Sequence, residues 1–99
     1  MPTYYVEGES RRRVREHADA LVRYISVLKS KERNEEMSRV YMDTTIKMAK
    51  YLLALLPGPY LISDDVSGCP HLSKEDKYYK LSVEAENASG KRDLYIFYF

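Results

Sequence analysis

The hydrophobic positions in the first third of the chain repeat with the period of a helix. A short β-prone stretch, residues 3–7, comes first and ends at Gly8. Ser10 is a suitable N-cap, and the apolar positions that follow share one helical face: Val14, His17, Ala18, Leu21, Val22, Ile25 and Leu28. The pattern predicts a strand and then an amphipathic helix, with His17 packed in the core. On the opposite face, opposite charges stand one turn apart and could pair, as Arg12–Glu16, Arg15–Asp19 and Asp19–Arg23.

The next segment, residues 35–56, is apolar around most of a helical circumference. One stripe consists of Met37, Val40, Tyr41, Thr44, Met48, Leu52 and Leu55. A second stripe, well separated around the axis, consists of Met42, Ile46, Ala49 and Leu53. A helix with so much apolar surface is typically buried on most sides. One sheet and one neighbouring helix cannot easily cover both stripes in a small domain, so we assign the second stripe to a subunit interface.

The second half of the chain has the period of two that is typical of strands. A Pro–Gly turn precedes a predicted strand at residues 60–66, and residues 67–76 are predicted to form a polar loop. Residues 78–86 alternate between apolar and polar positions, and residues 87–90 form a hairpin loop. Two registers remain open for this hairpin, one with Val83 opposite Leu94 and one with Glu86 opposite Arg92.

The last predicted strand, residues 94–99, is apolar on both faces and needs cover on both sides. We therefore assign three of its aromatic residues, Tyr95, Phe97 and Phe99, to the same interface as the second helical stripe. Together the elements predict one α+β domain over residues 1–99, in the order β-α-α-β-β-β. An antiparallel helix hairpin would pack on an antiparallel sheet of three or four strands, and the excess apolar surface predicts a homodimer.

Composition and charge narrow the environment in which the protein works. The 99 residues include 16 Lys and Arg and 15 Asp and Glu. This balance argues against a protein whose whole surface attracts phosphate groups. The single Cys69 excludes an internal disulfide, which suits an intracellular compartment. We expect neither an export signal nor a membrane span, since the longest apolar run is residues 51–56. Ten Tyr, no Gln, two Asn and 31% charged residues predict a hyperthermostable protein.

The one run of like charge lies at the start of the first helix: Arg11, Arg12, Arg13 and Arg15. Cations oppose the macrodipole at a helix N-terminus, so this run indicates a binding role. The alternative interpretation is a helix whose charges pair with one another. Asp64 and Asp65 are adjacent and point to opposite faces, so they cannot share a proton or a metal easily. We assign them, with the acidic loop that they enter, to partner contacts.

No residue pattern in the chain indicates catalysis, a cofactor or a metal. Cys69 and His71 would supply two of the four ligands that zinc requires, and no third group orients them as a catalytic pair. Gly-rich phosphate loops and sets of nucleophile, base and orienting residue are also absent from the sequence. We therefore predict a protein that is not an enzyme and has no cofactor.

Three tyrosine-rich stretches carry a resemblance: residues 3–6, 77–81 and 95–99. With the helix pair and the amide-poor composition, the chain resembles small orphan proteins of filamentous and rod-shaped viruses that infect hyperthermophilic archaea. Some proteins of that kind block host defence as compact dimers. The resemblance implies a non-enzymatic protein that binds and blocks, or scaffolds, a larger protein target in the host cytoplasm. Two alternatives stay open: a nucleic-acid-binding protein that uses the arginine run, and an orphan structural protein.

Overall fold

A computed structural model describes residues 1–28, 35–62 and 70–99, and the side chains of residues 1–22, 39–62 and 70–99. The elements are β1 Thr3–Tyr5, α1 Gly8–Leu28, α2 Glu35–Leu53, β2 Leu61–Ile62, β3 His71–Glu75, β4 Tyr78–Glu86 and β5 Arg92–Tyr98. Two helices and one sheet confirm the predicted α+β class. The predicted order of elements is also found, with one strand more than expected. The second half of the predicted strand at residues 60–66 lies outside the described residues.

The sheet has five strands and is mixed rather than purely antiparallel. Its order is β1-β5-β4-β2, and β3 pairs with β4 on the same side as β2. The two ends of the chain meet in it, because β1 runs parallel to β5, with Tyr4 beside Phe97. Strand β5 lies inside the sheet, between β1 and β4, where both of its edges are paired.

Strand β3 lies where the sequence predicted a polar loop. Its residues pair in order with the first half of β4, with Leu72 opposite Leu81. Leu72 is the only apolar residue of β3, and it is buried. One apolar side chain is too weak a pattern to predict a strand from the sequence. The segment becomes a strand because it pairs with β4, which is nine residues long. Asp76 closes the turn with a positive φ of 52°, which aspartate tolerates better than most residues.

The hairpin of β4 and β5 has the second of the two registers considered. Glu86 lies opposite Arg92, and Val83 lies opposite Tyr95. Arg92 also reaches diagonally across the strands, with its Nη2 atom 3.3 Å from Oε1 of Glu84. Directly opposite residues share a face, so the register places Tyr79, Leu81 and Val83 on the face with Tyr95, Phe97 and Phe99. All six side chains are buried, and this face is the core of the domain.

Each helix buries one face in that core. Helix α1 contributes Val14, Ala18 and Leu21, whereas His17 is exposed, so the prediction of a core histidine is wrong. The buried face of α2 consists of Thr45, Met48, Ala49, Leu52 and Leu53. The two stripes predicted for this helix are therefore two sides of one face, because Ala49 and Leu53 adjoin Met48 and Leu52. Val40 and Leu55, from the outer margins of the first stripe, are exposed.

This packing corrects most of the predicted subunit interface. Ala49, Leu53, Tyr95, Phe97 and Phe99 are at most 4% exposed within a single chain. One sheet and two helices thus cover most of the apolar surface that the prediction assigned to a second copy. Of the seven predicted residues, only Met42, which is 37% exposed, and the half-buried Ile46 remain accessible to a partner. A homodimer stays a prediction, to which Met42 and Ile46 are the predicted interface residues that could still contribute.

Candidate functional site: an arginine–tyrosine surface

The arginine run occupies the first two turns of α1, where the helix dipole disfavours it. Two of the four arginines share one carboxylate. The Nη2 atom of Arg12 donates to both carboxylate oxygens of Glu9, at 2.6 and 2.8 Å, and Nε of Arg13 lies 4.0 Å from Oε1 of the same residue. The expected pair of Arg12 with Glu16 is therefore replaced by a pair with the preceding turn. All three partners are exposed, so these contacts contribute little stability.

Arg11 contacts an aromatic ring instead of a carboxylate. Its Cζ atom lies 5.9 Å from the ring centre of Tyr78, within the range of a cation–π interaction. Its Nε atom is buried and has no hydrogen-bond partner among the described residues. Arg11 is thus held against the sheet while part of its hydrogen-bonding capacity is unused.

Arg15, one turn further along α1, contacts the next tyrosine of β4. Its Cζ atom lies 5.4 Å from the ring centre of Tyr79, and Nη1 donates to the carbonyl oxygen of Lys77 at 3.3 Å. The expected ion pair with Asp19 is not formed, because the hydroxyl of Tyr79 donates to Oδ1 of Asp19 at 2.5 Å. Among the residues with described side chains, neither Arg11 nor Arg15 has an ion pair with a carboxylate.

Tyr79 has an altered acidity that follows from this position. Burial of the phenol raises its pKa to about 12, and the hydrogen bond to Asp19 and the charge of that carboxylate act in the same direction. The nearby charge of Arg15 opposes the shift and is the smaller influence. Tyr79 therefore stays protonated, and remains a donor to Asp19, throughout the physiological pH range.

Three further tyrosines form a cluster on the outer face of the sheet. Register places Tyr5, Tyr78 and Tyr98 on the face opposite the core. The rings of Tyr5 and Tyr98 are stacked at 5.2 Å, and Tyr78 stands edge-on to both, at 6.1 and 6.5 Å. Tyr5 is 66% exposed and Tyr78 is 43% exposed. We call these three tyrosines, with Arg11, Arg12, Arg13 and Arg15, the arginine–tyrosine surface.

An open depression of about 450 Å³ adjoins this surface on α1. It is lined by Gly8, Arg11, Arg12, Arg15, Glu16 and Asp19. Three arginines and two acidic residues therefore line the same space. Such a mixture favours a partner group with a matching pattern of charge over an undifferentiated polyanion.

Of the candidate residues Asp64, Asp65, Cys69 and His71, His71 alone lies within the described part of the chain. Asp64, Asp65 and Cys69 lie outside the described residues, while His71 is exposed on β3. Within the described ranges, no group of three or more His, Cys, Asp or Glu side chains could hold a metal ion. Across the same part of the chain, neither helix is long and apolar enough to cross a membrane.

Sequence reasoning identified the four arginines but not the tyrosines that position two of them. Tyr78 and Tyr79 are adjacent in β4 and point to opposite faces, yet each ring lies beside one of two arginines that line the same depression. The period-of-two pattern predicted those faces. It could not show that α1 places these arginines beside the first residues of β4.

Comparison with protein-family models, with curated proteins and with solved structures finds no match to this chain.

Proposed function

We propose that this chain is a non-enzymatic protein that binds a larger protein target through the arginine–tyrosine surface, and so blocks or scaffolds it. The observation that carries the proposal is the pair of arginines held on tyrosine rings. Arg11 and Arg15 are positioned by Tyr78 and Tyr79 without being neutralised by a described carboxylate. Their guanidinium groups therefore keep donors for a partner, at a small further cost in side-chain entropy.

The residue types at this surface are those that contribute most to protein interfaces. Tyrosine and arginine are enriched among the residues whose removal costs the most binding energy. Tyr5 and Tyr78 expose large rings that are already immobilised by their neighbours. The charges around them are mixed, and the whole chain has a net charge of only +1. These properties support recognition of one complementary protein surface, and the viral resemblance directs the search for it to host defence machinery.

Affinity capture from a host lysate, with and without nuclease, tests this function. The immobilised protein should retain one protein in stoichiometric amounts, and nuclease treatment should leave the amount unchanged. Recovery of nucleic acid alone, or of proteins that nuclease removes, would contradict a protein target.

Single-stranded nucleic acid is the second candidate, and the tyrosine cluster favours it. Aromatic rings beside a cation can stack bases while the cation binds phosphate. Tyr5, Tyr78 and Tyr98 offer such rings next to Arg11. Titration with fluorescent 12-nucleotide dT and rU strands tests this candidate. Contacts to two phosphates would give a slope of about −1.4 when the logarithm of affinity is plotted against that of salt concentration. The absence of binding at low salt would remove the candidate.

A further inference from the structure

Within the described ranges, strand β3 lies at the edge of the sheet, with β4 as its one strand neighbour. The N–H and C=O groups of Tyr79 are hydrogen-bonded to Phe99 on β5. Lys74, which lies opposite Tyr79, therefore directs its own backbone groups away from β4, and so does Leu72 two residues earlier. An edge strand with free backbone groups is a template for pairing with another strand.

A side chain from α2 occupies the backbone groups of Leu72. The Leu72 N–H donates to the hydroxyl of Tyr41 at 2.9 Å, and the same hydroxyl lies 3.4 Å from the carbonyl oxygen of Leu72. One hydroxyl thus provides the acceptor and the donor that a neighbouring strand would provide. At the other outward position, the exposed Lys74 places its charged Nζ atom 5.6 Å from the ring centre of Tyr79. Charged side chains at edges discourage strand addition.

The sequence of β3 is complementary to itself in an antiparallel pair. If Ser73 lay opposite Ser73 of a second copy, Leu72 would face Lys74 and His71 would face Glu75. His71 and Glu75 are both exposed on the outer face of the sheet, so an imidazole and a carboxylate would meet at each end of the pair. Leu72 and Lys74 direct their backbone groups outward, so each such pair would be joined by two hydrogen bonds.

We propose that the β3 edge is a latent self-association surface, which fits β3 of a second copy, and that Tyr41 keeps it closed. Tyr41 lies on α2, and its hydroxyl contacts the backbone of Leu72 on β3. Opening this edge would allow two sheets to join into one.

A disulfide trap tests the proposal directly. In the background Cys69→Ser and Ser73→Cys, the new thiols would lie opposite one another at a closely spaced, non-hydrogen-bonded pair. With Tyr41 intact we expect little disulfide dimer under mild oxidation, and addition of Tyr41→Phe should raise its initial rate of formation at least fivefold. The matched control places the cysteine in the neighbouring turn, as Lys77→Cys, where Tyr41→Phe should change the rate less than twofold.

Two further measurements complete the test. In Tyr41→Phe alone, hydrogen exchange at the Leu72 amide should be about fivefold faster relative to the Leu81 amide, as expected for one lost hydrogen bond. His71→Glu, which would place carboxylates opposite one another, should suppress trapping in the Tyr41→Phe background. An unchanged Leu72 exchange rate would overturn the proposal even if the trapping variants failed to fold. Equal trapping with and without the Tyr41 hydroxyl would overturn it as well.

Discussion

The ring of Tyr79 lies between Arg15 and Asp19, which are one helical turn apart on α1. The guanidinium of Arg15 is 5.4 Å from the ring centre, and the carboxylate of Asp19 accepts the hydroxyl proton at 2.5 Å. A direct ion pair between the two helix residues, which their spacing favours, gives way to contacts with this one buried side chain. Tyr79 therefore fixes α1 to β4 and holds Arg15 at the surface.

Replacing Tyr79 with Phe should remove the hydrogen bond to Asp19 and keep the ring that supports Arg15. We expect the free energy of unfolding to fall by about 1 kcal/mol. The charge of the acceptor, Asp19, strengthens the hydrogen bond, and its exposure to water weakens it. Urea denaturation measures the change. In the control Tyr78→Phe, whose hydroxyl has no partner among the described residues, the change should stay below about 0.5 kcal/mol. Equal losses in the two variants would contradict this role of the Tyr79 hydroxyl.

The raised pKa of Tyr79 predicts a loss of stability at alkaline pH. Below pH 10 the phenol is protonated in both the folded and the unfolded chain, and its contribution is fully present. Between pH 10 and about 12 the unfolded chain ionises first, so the free energy of unfolding should fall by up to roughly 3 kcal/mol. Burial also raises the pKa of Tyr95, which should leave part of this loss in Tyr79→Phe. Urea denaturation at several pH values between about 9 and 12 measures the free energy of unfolding of wild type and of Tyr79→Phe. If this free energy fell equally with pH in both proteins, the loss could not be assigned to Tyr79.

Much of the fold follows from local pattern. The helical period of residues 14–28 and the alternation of residues 78–86 are strong signals, and both elements are found. What local pattern could not supply is the pairing of β1 with β5, because these strands are separated by nearly the whole chain. When β5 is considered without β1, its apolar residues indicate a surface that a second subunit would have to cover. With it, Phe97 packs under Tyr4 in the interior of the sheet.

The candidate site was predictable only in part for a similar reason. Four arginines against the dipole of α1 are visible in the sequence, and the placement of Arg11 and Arg15 is not. That placement depends on the angle at which α1 crosses β4, a property of tertiary packing. His17 is a second example. Its spacing places it next to the apolar residues of the helix, but the buried face consists of Val14, Ala18 and Leu21, and His17 lies just outside it.

Leu53 is buried in the core of the chain, whereas the sequence pattern assigned it to a subunit interface. Leu53→Ala should lower the free energy of unfolding by about 2–4 kcal/mol, because the shorter side chain leaves a cavity in the core. Met42→Ala, at an exposed position of the same helix, should cost less than about 1 kcal/mol. Chemical denaturation compares them, and similar small losses for both would contradict the core assignment.

We continue to predict a homodimer, with Met42 as the predicted interface residue most accessible on α2. Light scattering at micromolar concentration should give twice the mass of the chain. Met42→Arg should yield a folded monomer, whereas Leu53→Arg should unfold the protein, since it buries an unpaired charge. A monomeric wild-type protein would end the prediction.

The amide-poor, charge-rich composition predicts a protein that works at high temperature. We expect a melting temperature above about 90 °C by calorimetry. Unfolding near 55 °C, which is typical of mesophilic domains, would refute the environmental interpretation.

The central claim is that Arg11 and Arg15 bind the target, and comparative capture tests it most directly. Wild-type protein, Arg11→Ala/Arg15→Ala and the control Arg92→Ala would be immobilised in equal, folded amounts and exposed to nuclease-treated host lysate. Arg92 is also exposed, but it lies at the opposite end of β5 from Tyr98. Quantitative mass spectrometry should show one target retained equally by wild type and Arg92→Ala, and reduced about tenfold or more by the double change. Equal retention of that target by all three proteins would contradict the claim.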